Sequence, residues 1–207
     1  MQHKIYSVLL SILITIFFIN NNISIAATAT PKGPFEAIQF QPNLTLFEKK
    51  IVRFQTPAEF VEILFPFSKK AGKELGIDPK LILAQAALET NWGRSIPKHK
   101  DGSSSFNLFG LTGKSKLGHS LKLRTKEFKG NTPYHTFVSF RAYTCFSECF
   151  TDYVKILSMD RYQRKIQYAK TANEVANGIQ RAGYATDPHY ARKLMKAYQH
   201  PAIKNII

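Results

Sequence analysis

The run Leu81-Ile82-Leu83-Ala84-Gln85-Ala86-Ala87-Leu88 is apolar on almost every side when wound as a helix. Such a helix has no face to give to water, so the rest of the fold has to be wrapped around it. Its start is marked by Asp78-Pro79, an N-cap residue followed by the imino acid tolerated in the first turn. The apolar character ends at Glu89, and Thr90-Asn91-Trp92-Gly93 opens a polar loop. The helix is therefore expected from Pro79 to about Asn91.

The flanking sequence supplies the wrapping. Thr56-Pro57-Ala58-Glu59 reads as a capping box, and Phe60, Ile63, Leu64, Phe67, Ala71 and Leu75 behind it fall on one helical face, with Pro66 as a candidate kink. Residues 93–118 are rich in Gly, Ser, Lys and Asn and read as loop around the short apolar stretch Asn107 to Leu111. Leu121–Phe128 and His135–Tyr143 then read as two strands joined by a turn through Lys129-Gly130-Asn131-Thr132-Pro133. Helices resume at about Ser147, at a second capping box Thr171-x-x-Glu174, and at Asp187-Pro188, where Tyr190, Leu194 and Tyr198 share a face. No internal repeat is present. The expected class is α+β, mainly helical, with a small β-hairpin lobe, and 207 residues suit one domain of this kind.

The N-terminus predicts export. Lys4, an apolar run from Ile5 to Ile19 and the small-x-small triplet Ser24-Ile25-Ala26 have the form of a signal peptide over residues 1–26. The apolar run is shorter than the roughly 20 residues of a spanning helix, and Asn20, Asn21 and Asn22 end it. Residues 27–55, with Pro31, Gly33, Pro34 and Pro42, read as a linker, and residues 56–200 as the folded domain. Twenty-nine Lys and Arg against 14 Asp and Glu leave a net charge of +15, which attracts any polyanion. For an exported chain the polyanions to consider first are wall carboxylates and anionic membrane surfaces, between which charge alone does not choose; the expected partner is the wall, with no nucleic acid and with membrane contact only during export. Cys145 and Cys149, four apart at a helix start, have the Cβ spacing of helical neighbours, wider than a disulfide takes, and are expected as buried thiols. With no CxxC pair and no H-E-x-x-H, no metal or other cofactor is expected.

Glu89 carries the clearest chemical signal. A carboxyl at the edge of a core beside an aromatic ring loses hydration, its pKa rises, and it can hold a proton near neutrality as a general acid for a glycosidic oxygen. Glycoside cleavage usually takes a second carboxylate. Glu127 on the first strand, which shares a side with Leu121, Leu123 and Thr125, and Asp152 on the following helix are the candidates. Trp92, Phe106, Phe109, Tyr143 and Tyr184 lie near Gly or Asn in loops and could stack on sugar rings, Trp92 and Tyr184 foremost.

The stretch Leu83 to Gly93, then Asn107-Leu108-Phe109-Gly110, Thr125-Lys126-Glu127-Phe128, Phe140-Arg141-Ala142-Tyr143, Asp152-Tyr153 and Ala182-Gly183-Tyr184-Ala185-Thr186-Asp187-Pro188, resembles the flagellum-type peptidoglycan hydrolases of glycoside hydrolase family 73, the endo-β-N-acetylglucosaminidases. The likeness covers about residues 56–198. It implies a lysozyme-like fold in which a helical lobe and a small β-hairpin lobe flank a glycan cleft, and cleavage of the β-1,4 bond between N-acetylglucosamine and N-acetylmuramic acid without a cofactor. Glu89 matches the family's catalytic acid and Glu127 its second carboxylate, in a motif usually Thr-Thr-Glu-Tyr. Asp152 completes the catalytic set, while Trp92, Asn107, Phe109, Gly110, Tyr143 and Tyr184 form the substrate-binding set. Cys149 stands where the family commonly has Ser. The short stretch ahead of the domain does not suggest the rod-assembly domain of flagellar members, and a flagellar or other envelope partner stays open. Two alternatives stand beside this reading: muramidase or lytic transglycosylase chemistry on the same polymer, and a wall-binding or assembly protein without turnover.

Overall fold

A computed structural model describes residues 53–115, 119–129 and 132–206, and side chains outside 126–133. The expected signal segment and most of the expected linker lie outside the described residues. Helix α1 spans Pro57–Leu75 and α2 Pro79–Thr90; strands β1 (Ser120–Lys129) and β2 (Thr132–Arg141) follow, then α3 (Phe146–Leu157), α4 (Asp160–Ile166), α5 (Ala172–Arg181), α6 (Tyr190–Tyr198) and the single turn α7 (Pro201–Lys204). The architecture is α+β. Among the described residues no helix is long and apolar enough to cross a membrane.

The apolar α2 is the axle. Leu81, Ile82, Leu83, Ala84, Ala86 and Ala87 are all buried, and α1, α6 and α7 pack against this one helix while α3 lies on α1. The second shell is α4 against α5 and α5 against α6. Helix α1 runs unbroken through Pro66. Its cap differs from the expected box in one arm: the Thr56 hydroxyl accepts from Glu59 N–H at 3.1 Å, but the Glu59 carboxylate reaches back to Gln55 N–H at 2.6 Å rather than to Thr56. The box at Thr171 and Glu174 is complete. The C-terminal end is tied down by Lys80, whose ammonium donates to the carbonyls of Lys204 and Ile206.

Boundaries differ from the sequence expectation at several points, β2 among them, which runs Thr132–Arg141 rather than His135–Tyr143. Packing begins upstream of Thr56, because Phe54 is buried between Phe60 and Phe146, with ring centroids 5.0 and 5.8 Å away. The helical region after Ser147 is two helices, broken at Ser158-Met159. At Asp187-Pro188, the carboxylate of Asp187 accepts from His189 N–H and pairs with Lys193, so α6 itself starts only at Tyr190. Cys145 and Cys149 are both buried, and Cys149 Sγ accepts the N–H of Leu108 at 3.3 Å.

The end of α2 is bound into place by its last residue. Thr90 Oγ1 donates to Ala86 carbonyl at 2.6 Å and accepts from Gly93 N–H at 2.9 Å, across a turn in which Asn91, Trp92 and Gly93 all take positive φ (47°, 59° and 76°). Gly93 is doubly constrained, since a Cβ there would lie 2.1 Å from the Phe54 ring. Gly93→Ala is expected to lower stability by about 2–4 kcal/mol through overpacking and left-handed strain. Gly76→Ala has a similar φ but open space around it and should cost only about 1 kcal/mol. Thermal unfolding of the two variants compares them directly.

Candidate active site

Glu89 sits one residue before the end of α2, where the helix leaves the core, and is half-buried. Its Oε1 accepts the Tyr190 hydroxyl at 2.8 Å. That donor comes from the first residue of α6, 101 positions along the chain. Oε2 accepts no hydrogen bond from the described residues. It faces Gly110, where a Cβ would approach it to 3.2 Å and where φ is +62°. Glycine at 110 thus lets the loop backbone lie close against the carboxyl.

The surroundings of Glu89 are phenolic. Gln85, one turn earlier on the same side of α2, is fully buried and accepts the Tyr153 hydroxyl at 2.7 Å. The Tyr184 hydroxyl donates to the Phe109 carbonyl at 2.7 Å, and the Tyr184 ring lies 5.7 Å from that of Tyr190. Burial, joined by the nearby Glu89 carboxylate, pushes the hydroxyls of Tyr153, Tyr184 and Tyr190 well above their ordinary range, so all three act as neutral donors. On Glu89 itself burial outweighs the Tyr190 hydrogen bond and raises the carboxyl from 4.5 to about 7. The carboxyl therefore carries a proton for a substantial fraction of the time at neutral pH.

The other predicted residues separate into groups. Asp152 is buried on α3, and its Oδ2 accepts both Arg141 Nη1 at 2.7 Å and the Tyr143 hydroxyl at 2.8 Å. It clamps the root of the hairpin. Asn107 is fully buried and spends its whole amide on backbone: Nδ2 donates to the carbonyls of Leu111 and Arg141, and Oδ1 accepts from Leu111 N–H. Phe106, Phe109 and Tyr143, expected as sugar-stacking rings, are buried. Phe109 lies flat on Tyr153 with centroids 3.9 Å apart, which leaves no face for a sugar. These side chains build the loop; what they offer a ligand is backbone. Trp92 is half-buried and packs against Phe60 and His200, at 5.8 and 4.4 Å, so the rings around the Glu89 carboxyl are tyrosines instead. Glu127 lies in β1 opposite Tyr134, and its side chain is outside the described set. A cavity of about 240 Å³ bordered by Arg53, Phe54, Arg94 and Lys98 includes none of these residues.

Sequence reasoning missed Tyr190, Tyr153 and Arg141. Tyr190 was legible only as one of three residues on a packing face. The signal available was chemical, since a buried tyrosine hydroxyl must find a partner.

The family described as mannosyl-glycoprotein endo-β-N-acetylglucosaminidase matches residues 66–202. The chain belongs to this glucosaminidase family. Among solved structures the chain is similar to a peptidoglycan hydrolase mutant from Sphingomonas sp. A1, 35% identical with a TM-score of 0.66 over 71% of this chain and 96% of that one. The glycoside hydrolase domain of Salmonella typhimurium FlgJ, truncated at its C-terminus, is also 35% identical, with a TM-score of 0.57 over 70% of this chain and 96% of that one. The peptidoglycan hydrolase FlgJ of Pseudomonas aeruginosa is 42% identical over 154 residues, 70% of this chain but 38% of the relative. The chain thus spans less than half the length of that relative. Family membership makes it a glycoside hydrolase with the lysozyme-like arrangement of a helical lobe and hairpin.

Two outcomes follow for Glu89. Its folded pKa lies above its unfolded one, so the native state binds the extra proton between pH 4.5 and about 7 and loses stability as pH rises through that window. Replacing Glu89 by Gln removes this penalty, and the variant should be stabilised relative to wild type by up to about 3 kcal/mol at pH 8 and by almost nothing at pH 4. Equal offsets in unfolding midpoint at the two pH values would refute the assignment. Tyr190→Phe removes a donor that favours the charged form, so the alkaline limb of the activity profile should move upward by roughly half a unit to one unit; a limb that stays or moves down would show that Tyr190 does not act on Glu89.

Proposed function

We propose that the chain is an exported hydrolase that cuts the β-1,4 bond between N-acetylglucosamine and N-acetylmuramic acid in peptidoglycan, with Glu89 as general acid. The observation that carries the proposal is the state of that carboxyl: dehydrated, raised to about 7, held through Oε1 by Tyr190 and with Oε2 turned toward Gly110. With Oε1 engaged as an acceptor, the acidic proton is assigned to Oε2, the oxygen that faces Gly110. Donation from Oε2 to the glycosidic oxygen breaks the bond to the anomeric carbon and leaves an oxocarbenium-like centre. Glu127, in β1, is assigned to stabilise that charge or to activate the water that attacks it. Asp152 acts indirectly in this scheme: it fixes Arg141 and Tyr143 at the base of the strand pair that carries Glu127.

Peptidoglycan as substrate is supported by the likeness to the peptidoglycan hydrolases of Pseudomonas aeruginosa and Sphingomonas sp. A1 and by the net charge of +15, which suits a polymer bearing carboxylates. The signal-like pattern of residues 1–26 supports work outside the cytoplasm.

The deciding experiment is mass spectrometry of fragments released from purified peptidoglycan, with Glu89→Gln as control. Fragments ending in reducing N-acetylglucosamine, with at least a hundredfold less from the control, are expected. Reducing muramic acid or anhydro ends would replace the glucosaminidase by a muramidase or transglycosylase, and binding without fragments would replace catalysis by wall attachment.

A further inference from the structure

The hairpin has a second face that the proposed chemistry does not use. In the antiparallel register Leu121, Leu123 and Thr125 pair with Phe140, Val138 and Thr136, and this side is half-buried. The opposite side carries Ser120, Lys122 and Arg124 on β1, facing Arg141, Ser139 and Phe137 on β2, with His135 beyond. Lys122, Arg124, His135, Phe137 and Ser139 are all exposed. Phe137 shows 63% of its surface to water, an unusual position for a phenyl ring that helps no core. It stands directly across from Arg124, and the Lys122 ammonium lies 5.7 Å from its ring centre. No acidic side chain is described on this face.

We propose that this outer face of the hairpin is a second saccharide-binding surface, which holds an anionic glycan strand of the wall apart from the strand being cut. The proposal rests on the peptidoglycan reading above. An exposed ring flanked by two cations matches a polymer that alternates apolar sugar faces with carboxylates: the ring takes the C–H face of a pyranose, and Lys122 and Arg124 take acidic groups on either side. The shape agrees. A ribbon two strands wide and ten residues long, roughly 33 Å at the rise of a strand, offers a narrow track for an extended chain. A bilayer is a poorer fit, because membrane docking buries several apolar side chains together and Phe137 is the one large apolar residue described on this side.

The test separates holding from cutting. Retention of the full chain on purified, insoluble sacculi is measured by co-sedimentation in the Glu89→Gln background, where nothing is released. Turnover is measured with the native Glu89 on both sacculi and short soluble glycan fragments. Phe137→Ala and the pair Lys122→Ala with Arg124→Ala should each weaken retention by roughly fivefold, the order that one stacking or ion-pair contact supplies. Each should slow turnover of sacculi while leaving turnover of soluble fragments unchanged, and Phe137→Trp should restore retention. Retention equal to wild type in both variants would overturn the proposal. So would binding by the Glu89→Gln chain to phosphatidylglycerol vesicles or to duplex DNA, lost in the variants, with no binding to sacculi. If wild type releases nothing from either substrate, the glycosidase reading fails, while retention alone still decides whether this face binds the wall.

Discussion

A carboxyl group that must keep its proton near neutrality has to be partly withheld from water, yet one of its oxygens must stay open to a substrate. The role proposed for Glu89 makes both demands, and beside that carboxyl lie the Tyr190 hydroxyl on Oε1 and Gly110 next to Oε2. That hydrogen bond ties the end of α2 to the start of α6, so Glu89 is only as well placed as the packing between two helices distant in sequence. The wrapping of α1, α3 and α5 around that pair serves the same end. Tyr153 reaches Gln85 from α3, and Tyr184 reaches the Phe109 carbonyl from the loop after α5. The dehydrated site is thus closed by hydroxyl groups whose own polar needs are met by backbone or by α2, which leaves the carboxyl as the group there that readily changes charge.

The loop between α2 and the hairpin is rigid for a different reason. Its glycine and serine content suggests freedom, but Asn107 binds both Leu111 and the last carbonyl of β2, Tyr143 N–H donates to Ser105, and Asp152 gathers Arg141 and Tyr143 from the far side. Buried polar groups in such number are costly unless all are satisfied. Here they specify one path for the chain past the carboxyl, with Gly110 at its closest approach.

Much of this was legible before any coordinates. The all-round apolar character of Leu81–Leu88 required a central helix, the two Thr-x-x-Glu signals marked helix starts, and alternation in 121–128 marked a strand. Glu89 stood out because polarity changes abruptly there. The parts that could not be read depend on which way a ring turns. Loop position suggested that Phe106, Phe109 and Tyr143 could turn toward a sugar, whereas the loop folds inward and buries these rings, and Trp92 lies half-buried against Phe60 and His200. Phe54 was assigned to the linker for want of periodicity, a test that a single anchoring ring ahead of a helix cannot pass. Tyr190 was invisible as a partner of Glu89 because its local pattern is that of any amphipathic helix, and only tertiary folding brings it across.

The attachment of the hairpin has a mechanical consequence. Its backbone ties to the rest of the domain, Gly113 to Ser139, Arg141 to Leu111 and Ala142 to His119, are gathered at the root, together with the Arg141–Asp152 pair. The two strands project from that root as a cantilever. Glu127 is borne seven residues along it from Ser120, roughly 23 Å at the rise of an antiparallel strand, so a rotation of about 10° at the root carries its Cα through some ~4 Å. Small angular changes at Arg141 and Asp152 are thereby magnified along the strands, and the far end of the pair is positioned from its root.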